Sequence, residues 1–322
     1  MAKILSADLA EALQGADEVL AAGTEDEYLK GLRYGGTSRR IWVVELQAEG
    51  HLANLLAPLF RVRQMAMLRL IAGGRSDLAT KLRGSLKHLA LLGTDARWVY
   101  GNAKKDPIDL RPLNGLQLEV LELQNASAVT WGEMPTLRSL TLQDAAASSL
   151  PASPNMETLN LGLSALRSVD LSAYPKLKVL HLNNRQLTEV TGLESTCLDH
   201  LYLNAGSGLK LKAPATLKHL RWSGGAGDVD ISEATALEEI HLNDNLGLDL
   251  SFLSECPKLK QLHIRTMSQL TSLDGLPVEH LEQLDLNNCP DLEDIAALAG
   301  APKLTQLTLS GSSKLMELRG LE

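Results

Sequence analysis

The sequence predicts a repeat solenoid with one short parallel strand per turn, and two observations carry that prediction. A six-residue frame, L-x-x-L-x-L, recurs ten times, with apolar substitutes at some positions. It begins at Leu118, Leu137, Met156, Leu177, Leu198, Leu217, Leu237, Leu259, Leu281 and Leu304, so successive starts lie 19 to 23 residues apart. Self-similarity at such a period marks units that pack only on their neighbours, so 322 residues need not divide into globular halves. Hydrophobic residues make up 44% of the chain but aromatic residues only 3%, which leaves leucine to fill the interior layer by layer.

The chain before these frames is less regular. Over residues 6–22, Ser6 is a cap, Asp8 and Glu11 sit in the first turn, and Leu9, Leu13, Val19 and Leu20 form an apolar stripe. This predicts a helix ended by Gly23. A second short helix is expected over Glu25 to Leu32, after Thr24. Residues 1–40 are therefore expected to form a helical cap over the first leucine layer. Residues 41–117 read as degenerate repeats, with frames at Ile41/Val44/Leu46, Val62/Met65/Met67 and Leu86/Leu89/Leu91, and with residues 51–60 as a short outer helix. From Leu86 to Leu118 is 32 residues, well over one period. The surplus, Ala96 to Pro107, carries Trp98 and Tyr100, and is read either as a loop that touches a partner or as a plain spacer.

Residues 118–318 form the regular repeats. Each frame is followed by turn residues and then one more apolar residue, such as Leu166, Leu187, Leu209, Leu248, Leu270 or Leu292. Asn183-Asn184, Asn243-Asp244-Asn245 and Asn287-Asn288 supply side chains that bond nearby backbone as the chain turns. Pro175, Pro257, Pro277 and Pro302 fall on the return path, where a missing N–H costs a ladder nothing.

This pattern resembles the leucine-rich repeat family, L-x-x-L-x-L-x-x-N/C-x-x-L, over residues 118–318 and, counting the degenerate frames, from 41. The resemblance implies a horseshoe of the α/β repeat class, with a parallel sheet on its concave face, and a role in binding other proteins. Units this short leave room on the convex side for extended segments and 3₁₀ turns, with one true helix at Ile295 to Ala299. The ninth position departs from the family. Ala126, Ala145, Ser164, Arg185, Gly206 and Gly225 stand there, with only Asn245 and Cys289 conforming. Irregular turns are the expectation. No polar capping unit is expected after the last frame, near Leu318 to Glu322.

Side chains alternate along a strand, so with the frame leucines inward, positions three, five and seven face out on the concave side. Six of the eight histidines fall on that face: His88, His181, His200, His219, His241 and His263. Tyr202, Arg221 and Arg265 stand among them, flanked by Glu239 and Asp285. Tyrosine and arginine are favoured interface anchors, which makes these residues the candidate partner-binding face. A wet sheet face needs polar residues in any case, so the pattern also suits plain solvation. A metal ion needs several ligands converging on one point, which a flat sheet face disfavours, so neither a metal site nor a cofactor is expected.

A net charge of −8 argues against nucleic acid and anionic membranes as partners and suits a basic protein. Cys197, Cys256 and Cys289 are too few and too scattered for a disulfide framework. With neither a leader nor a membrane-length apolar run, a cytoplasmic protein is expected, secretion as an effector remaining compatible. No phosphate-binding loop and no H-E-x-x-H is present. Cys197-Leu198-Asp199 is similar to the Cys-x-Asp motif of bacterial leucine-rich-repeat ubiquitin ligases, but Leu198 is a frame leucine and no helical catalytic domain follows. The expected function is non-enzymatic: binding a toxin or enzyme as an inhibitor or immunity-type protein. Gripping a host or signalling protein as an effector or adaptor, and receiving a small ligand or metal on the histidines, are the alternatives.

Overall fold

The computed structural model describes the strand segments 18–22, 40–44, 88–92 and 106–109, and residues 110–321 apart from the short gaps 112–113, 115–116, 125, 163–165, 205, 207, 225–227, 245–249 and 320. The expected second helix, the frame at Val62, the outer helix at 51–60 and the tryptophan and tyrosine of the insertion lie outside the described residues. The chain forms two compact units, residues 1–156 with 162–166, and residues 157–161 with 167–322.

In the first unit the strands are β1 (Glu18–Ala22), β2 (Arg40–Val44), β3 (His88–Leu92), β4 (Asp106–Asp109), β5 (Val120–Gln124), β6 (Ala126–Thr130) and β7 (Ser139–Gln143). β2, β1, β3, β5 and β7 pair in that order, each parallel to the next. One expectation is corrected here. Residues 18–22 are extended, where the helix over 6–22 was to end, and they pair on both sides. Val19-Leu20-Ala21-Ala22 is a short apolar run whose period suits a buried strand as well as a helix face. The strand Arg40–Val44 overlaps the first degenerate frame, Ile41/Val44/Leu46. The run R-I-W-V-V lacks the polar alternation that fixes a strand's phase. The end of the insertion is ordered too, since Asp106–Asp109 pairs parallel with Ala126–Thr130.

The second unit repeats one geometry. Its main strands are β8 (Thr158–Gly162), β10 (Val179–Asn183), β12 (His200–Asn204), β14 (His219–Ser223), β16 (Glu239–Asn243), β17 (Gln261–Arg265), β18 (Gln283–Asn287) and β19 (Gln306–Ser310), paired in that order. Each covers positions three to seven of its frame. Between them lie the short strands β9 (Ser168–Asp170), β11 (Glu189–Thr191), β13 (Lys210–Lys212) and β15 (Asp228–Asp230), which form a second parallel ladder on the return path. Later repeats return through 3₁₀ turns at Ser251–Leu253 and Ala296–Gly300. The latter replaces the true helix expected at 295–299. A 3₁₀ turn rises about 2.0 Å per residue against about 1.5 Å in an α-helix, and so spans the return path in fewer residues.

The core follows from the frame. Positions one, four and six are buried in every repeat from Leu118 to Leu286. Burying one such leucine contributes roughly 1.5–3 kcal/mol. In the last repeat Leu304, Leu307 and Leu309 are only half-buried, and Met316 and Leu318 are exposed. Successive units are joined by the same backbone bonds. The N–H groups at positions two and three both donate to the position-two carbonyl of the preceding unit. Lys218 and His219 thus reach Asp199 at 3.0 and 2.9 Å, and Glu238 and Glu239 reach Lys218 at 2.9 and 3.1 Å.

The turns are more regular than the ninth position suggested. Position eight takes a left-handed conformation at Asp144, Gly224, Asp244, Thr266, Asn288 and Gly311, with φ between 53° and 79°. From there its N–H donates to the position-seven carbonyl of the next unit, as in Asp244 to Arg265 and Thr266 to Asn287. Asn184 is the exception. It is buried, and its Oδ1 accepts the Gln186 N–H at 3.0 Å.

Candidate functional site

Strand pairing sets the site. From β10 to β19 every frame pairs in the same register, so equivalent positions of neighbouring repeats stand side by side. Position five forms the column His181, Tyr202, Arg221, His241, His263, Asp285. Position three runs His200, His219, Glu239, Gln261. Arg265 belongs to the third column, beside Asn243 and Asn287, and is exposed. All ten candidate residues therefore lie on one side of one sheet. His88 is placed on β3 in the first unit.

The columns bring rings together in pairs. Parallel strands lie about 4.8 Å apart, close to the centroid separation of offset-stacked rings. His181 stacks on Tyr202 with centroids 4.1 Å apart, His200 on His219 at 4.2 Å, and His241 on His263 at 4.3 Å, all nearly parallel. The Arg221 guanidinium lies over the other side of Tyr202, 5.8 Å from its ring centre, within cation–π reach.

Carboxylates fix the imidazoles. A carboxylate only accepts, so the ring nitrogen facing it carries the proton. His200 Nδ1–H donates to Asp199 at 2.8 Å. Glu239 holds two rings, accepting His219 Nδ1–H on Oε2 at 3.0 Å and His241 Nε2–H on Oε1. Asp285 Oδ2 lies 3.6 Å from His263 Nδ1. The hydrogen bond from His241, the largest influence, and that from His219 together hold the Glu239 carboxyl below the usual range against the opposing effect of burial. Burial pushes the His241 imidazole down, and the nearby His263 and Arg221 add to this, while the bond to Glu239 opposes it. His181 is lowered by burial first and by His200 second. The rings and acids enclose a shallow groove of about 160 Å³, walled by His200, Tyr202, His219, Arg221, Glu239 and His241.

The repeat frame puts these residues on one face but does not reveal what joins them. Glu239 reads as a flanking acid, yet it ties two histidine pairs together. Asp199 sits at position two, outside the expected columns, and its contact with His200 is not read from the frame. The signal for it was the acid directly before His200. Of the cysteines, Cys197 is exposed while Cys256 and Cys289 are buried in the core, and all three are free thiols. Burial pushes the Cys256 thiol up to about 11. Among the described residues no helix is long and apolar enough to cross a membrane.

Frame, register and buried ladder define a leucine-rich-repeat solenoid. No family model matches the sequence, and no curated protein matches it. Solved structures of leucine-rich repeat proteins are similar to it in fold. An internalin from Listeria monocytogenes is 18% identical, with a TM-score of 0.41 over 74% of this chain and 81% of its own. The leucine-rich repeat domain of the type III effector XopL is 17% identical, with a TM-score of 0.31 over 86% of this chain and 93% of its own. A leucine-rich repeat protein from Bacteroides ovatus is 11% identical, with a TM-score of 0.18 over 61% and 77%. At these identities and scores the likeness says nothing of function.

Proposed function

We propose that the outer side of the second unit's sheet, centred on β10 to β17, binds a partner protein. The observation that carries this reading is the ordered ledge from His181 to His263. Its rings stack in pairs and its histidines are anchored by carboxylates, so little side-chain freedom is lost on association. Tyr202 with Arg221 over its ring is the central anchor. A net charge of −8 supports a basic partner, and the finer reading is an inhibitor or immunity-type protein that occludes a basic toxin or enzyme.

Capture from the source organism's lysate, with the wild type beside a variant changed to Ala at His181, Tyr202, Arg221 and His241, tests the face. A protein held by the wild type and lost by the variant is the expected result. Its identity separates an inhibited toxin or enzyme from a gripped host or signalling protein. In titrations with that partner, Tyr202→Ala and Arg221→Ala each weaken binding by about 1–4 kcal/mol. Lys178→Ala and Lys218→Ala, at exposed position-two sites, leave it nearly unchanged. Equal losses at both places would sink the proposed face.

A further inference from the structure

Ligand-type side chains converge at one point of the sheet face. Glu239, His241 and His263 come from two adjacent strands, yet each offers a ligand atom within 4.8 Å of the other two. A tetrahedral ion bonded at about 2.0–2.2 Å holds its ligand atoms roughly 3.3–3.6 Å apart, so side-chain rotations that draw these atoms closer by up to about an ångström close the set. We infer that Glu239, His241 and His263 form a binding site for a transition-metal dication of the zinc class. The site leaves a coordination position open toward solvent.

Three further features support the geometry. Glu239 is steadied by a neighbour, since His219 Nδ1–H holds its second oxygen at 3.0 Å, while His241 and His263, stacked at 4.3 Å, tilt out of parallel to aim both in-plane lone pairs at one ion. Asp285 faces His263 Nδ1 at 3.6 Å and leaves Nε2 for an ion, in the carboxylate–histidine–metal order that orients such ligands. The other Asp285 oxygen, Oδ1, is shielded from solvent and has no hydrogen-bond partner among the described residues. A buried carboxylate oxygen with no donor favours added positive charge nearby. Arg221, beside His241 in the column, and Arg265, beside Asn243, oppose a cation, and the two carboxylates offset them. Two imidazoles and one carboxylate select zinc, copper or nickel, whereas magnesium and calcium prefer all-oxygen sets.

The test is calorimetric titration of zinc chloride, with magnesium chloride alongside, into the full chain stripped by chelator. The wild type is expected to take up one zinc and no magnesium. His263→Gln and His241→Gln each abolish uptake, Asp285→Asn weakens it about tenfold, and substitution of an exposed histidine outside the columns, His280→Ala, leaves it unchanged, with circular dichroism checking that each variant is folded. No zinc uptake by the wild type overturns the site. So does uptake with unchanged stoichiometry and affinity in the two histidine variants, or magnesium bound as tightly as zinc. The result stands apart from partner binding, because no partner is present in the cell.

Discussion

His181 shows how a single side chain on this face acquires a measurable property. Packed on Tyr202 and facing His200, its imidazole is held below its ordinary value of 6.5. The folded chain thus resists a proton that the unfolded chain accepts. The stability His181 contributes is fully present above about pH 6.5 and is lost as pH falls below it toward the folded value. The thermal midpoint is expected to drop between pH 7.5 and 5.5, and His181→Gln is expected to flatten that drop. An unchanged slope in the variant would refute the assignment. Its position on the face was legible in the sequence, because position five of a frame points away from the leucines. Its ring partner was not, since stacking depends on strand register and ring rotation, which no single stretch encodes. The same limit hid Glu239, whose two histidines come from different strands or lie two residues away on its own.

At the scale of the element, the frame leucines made the main strands legible, because period two inside a strand and a period near 20 between strands agree. The return ladder was harder. β9, β11 and β13 are three residues long, and Val169, Val190 and Leu211 become a row only when the units stack. After β11 the turn into a 3₁₀ segment, Leu193–Ser195, hinges on Gly192, at φ 77°, where an added Cβ would lie 2.3 Å from the Ser172 nitrogen. That neighbour is backbone and cannot swing aside. Gly192→Ala is expected to destabilise by about 2–4 kcal/mol, from left-handed strain plus overpacking, as read from urea unfolding midpoints. A loss under about 0.5 kcal/mol would show that the return path adjusts freely.

At the scale of the whole molecule, contacts run mainly between neighbouring units, so damage should stay local. Leu262 is fully buried between β16 and β18. Leu262→Ala is expected to cost about 2–5 kcal/mol. Amide hydrogen exchange is expected to quicken in β16, β17 and β18 well before β10. Uniform quickening across the second unit would instead show a single cooperative block. The N-terminal frames were the least legible part. Apolar runs such as R-I-W-V-V satisfy several strand phases, and β1 pairs out of chain order, between β2 and β3. Nothing in a local pattern announces such an insertion.

The backbone joint described above, two N–H groups on one carbonyl, has the same form at every junction of the second unit. A unit therefore presents its successor with a standard coupling. Excising residues 237–258 would bring Lys260 and Gln261 to the Lys218 carbonyl that Glu238 and Glu239 now occupy. His263 would then stand beside Arg221 in a ledge shortened by about 4.8 Å. The reach of the face is thus adjustable in whole-unit steps, by gain or loss of coding segments, without redesigning a core.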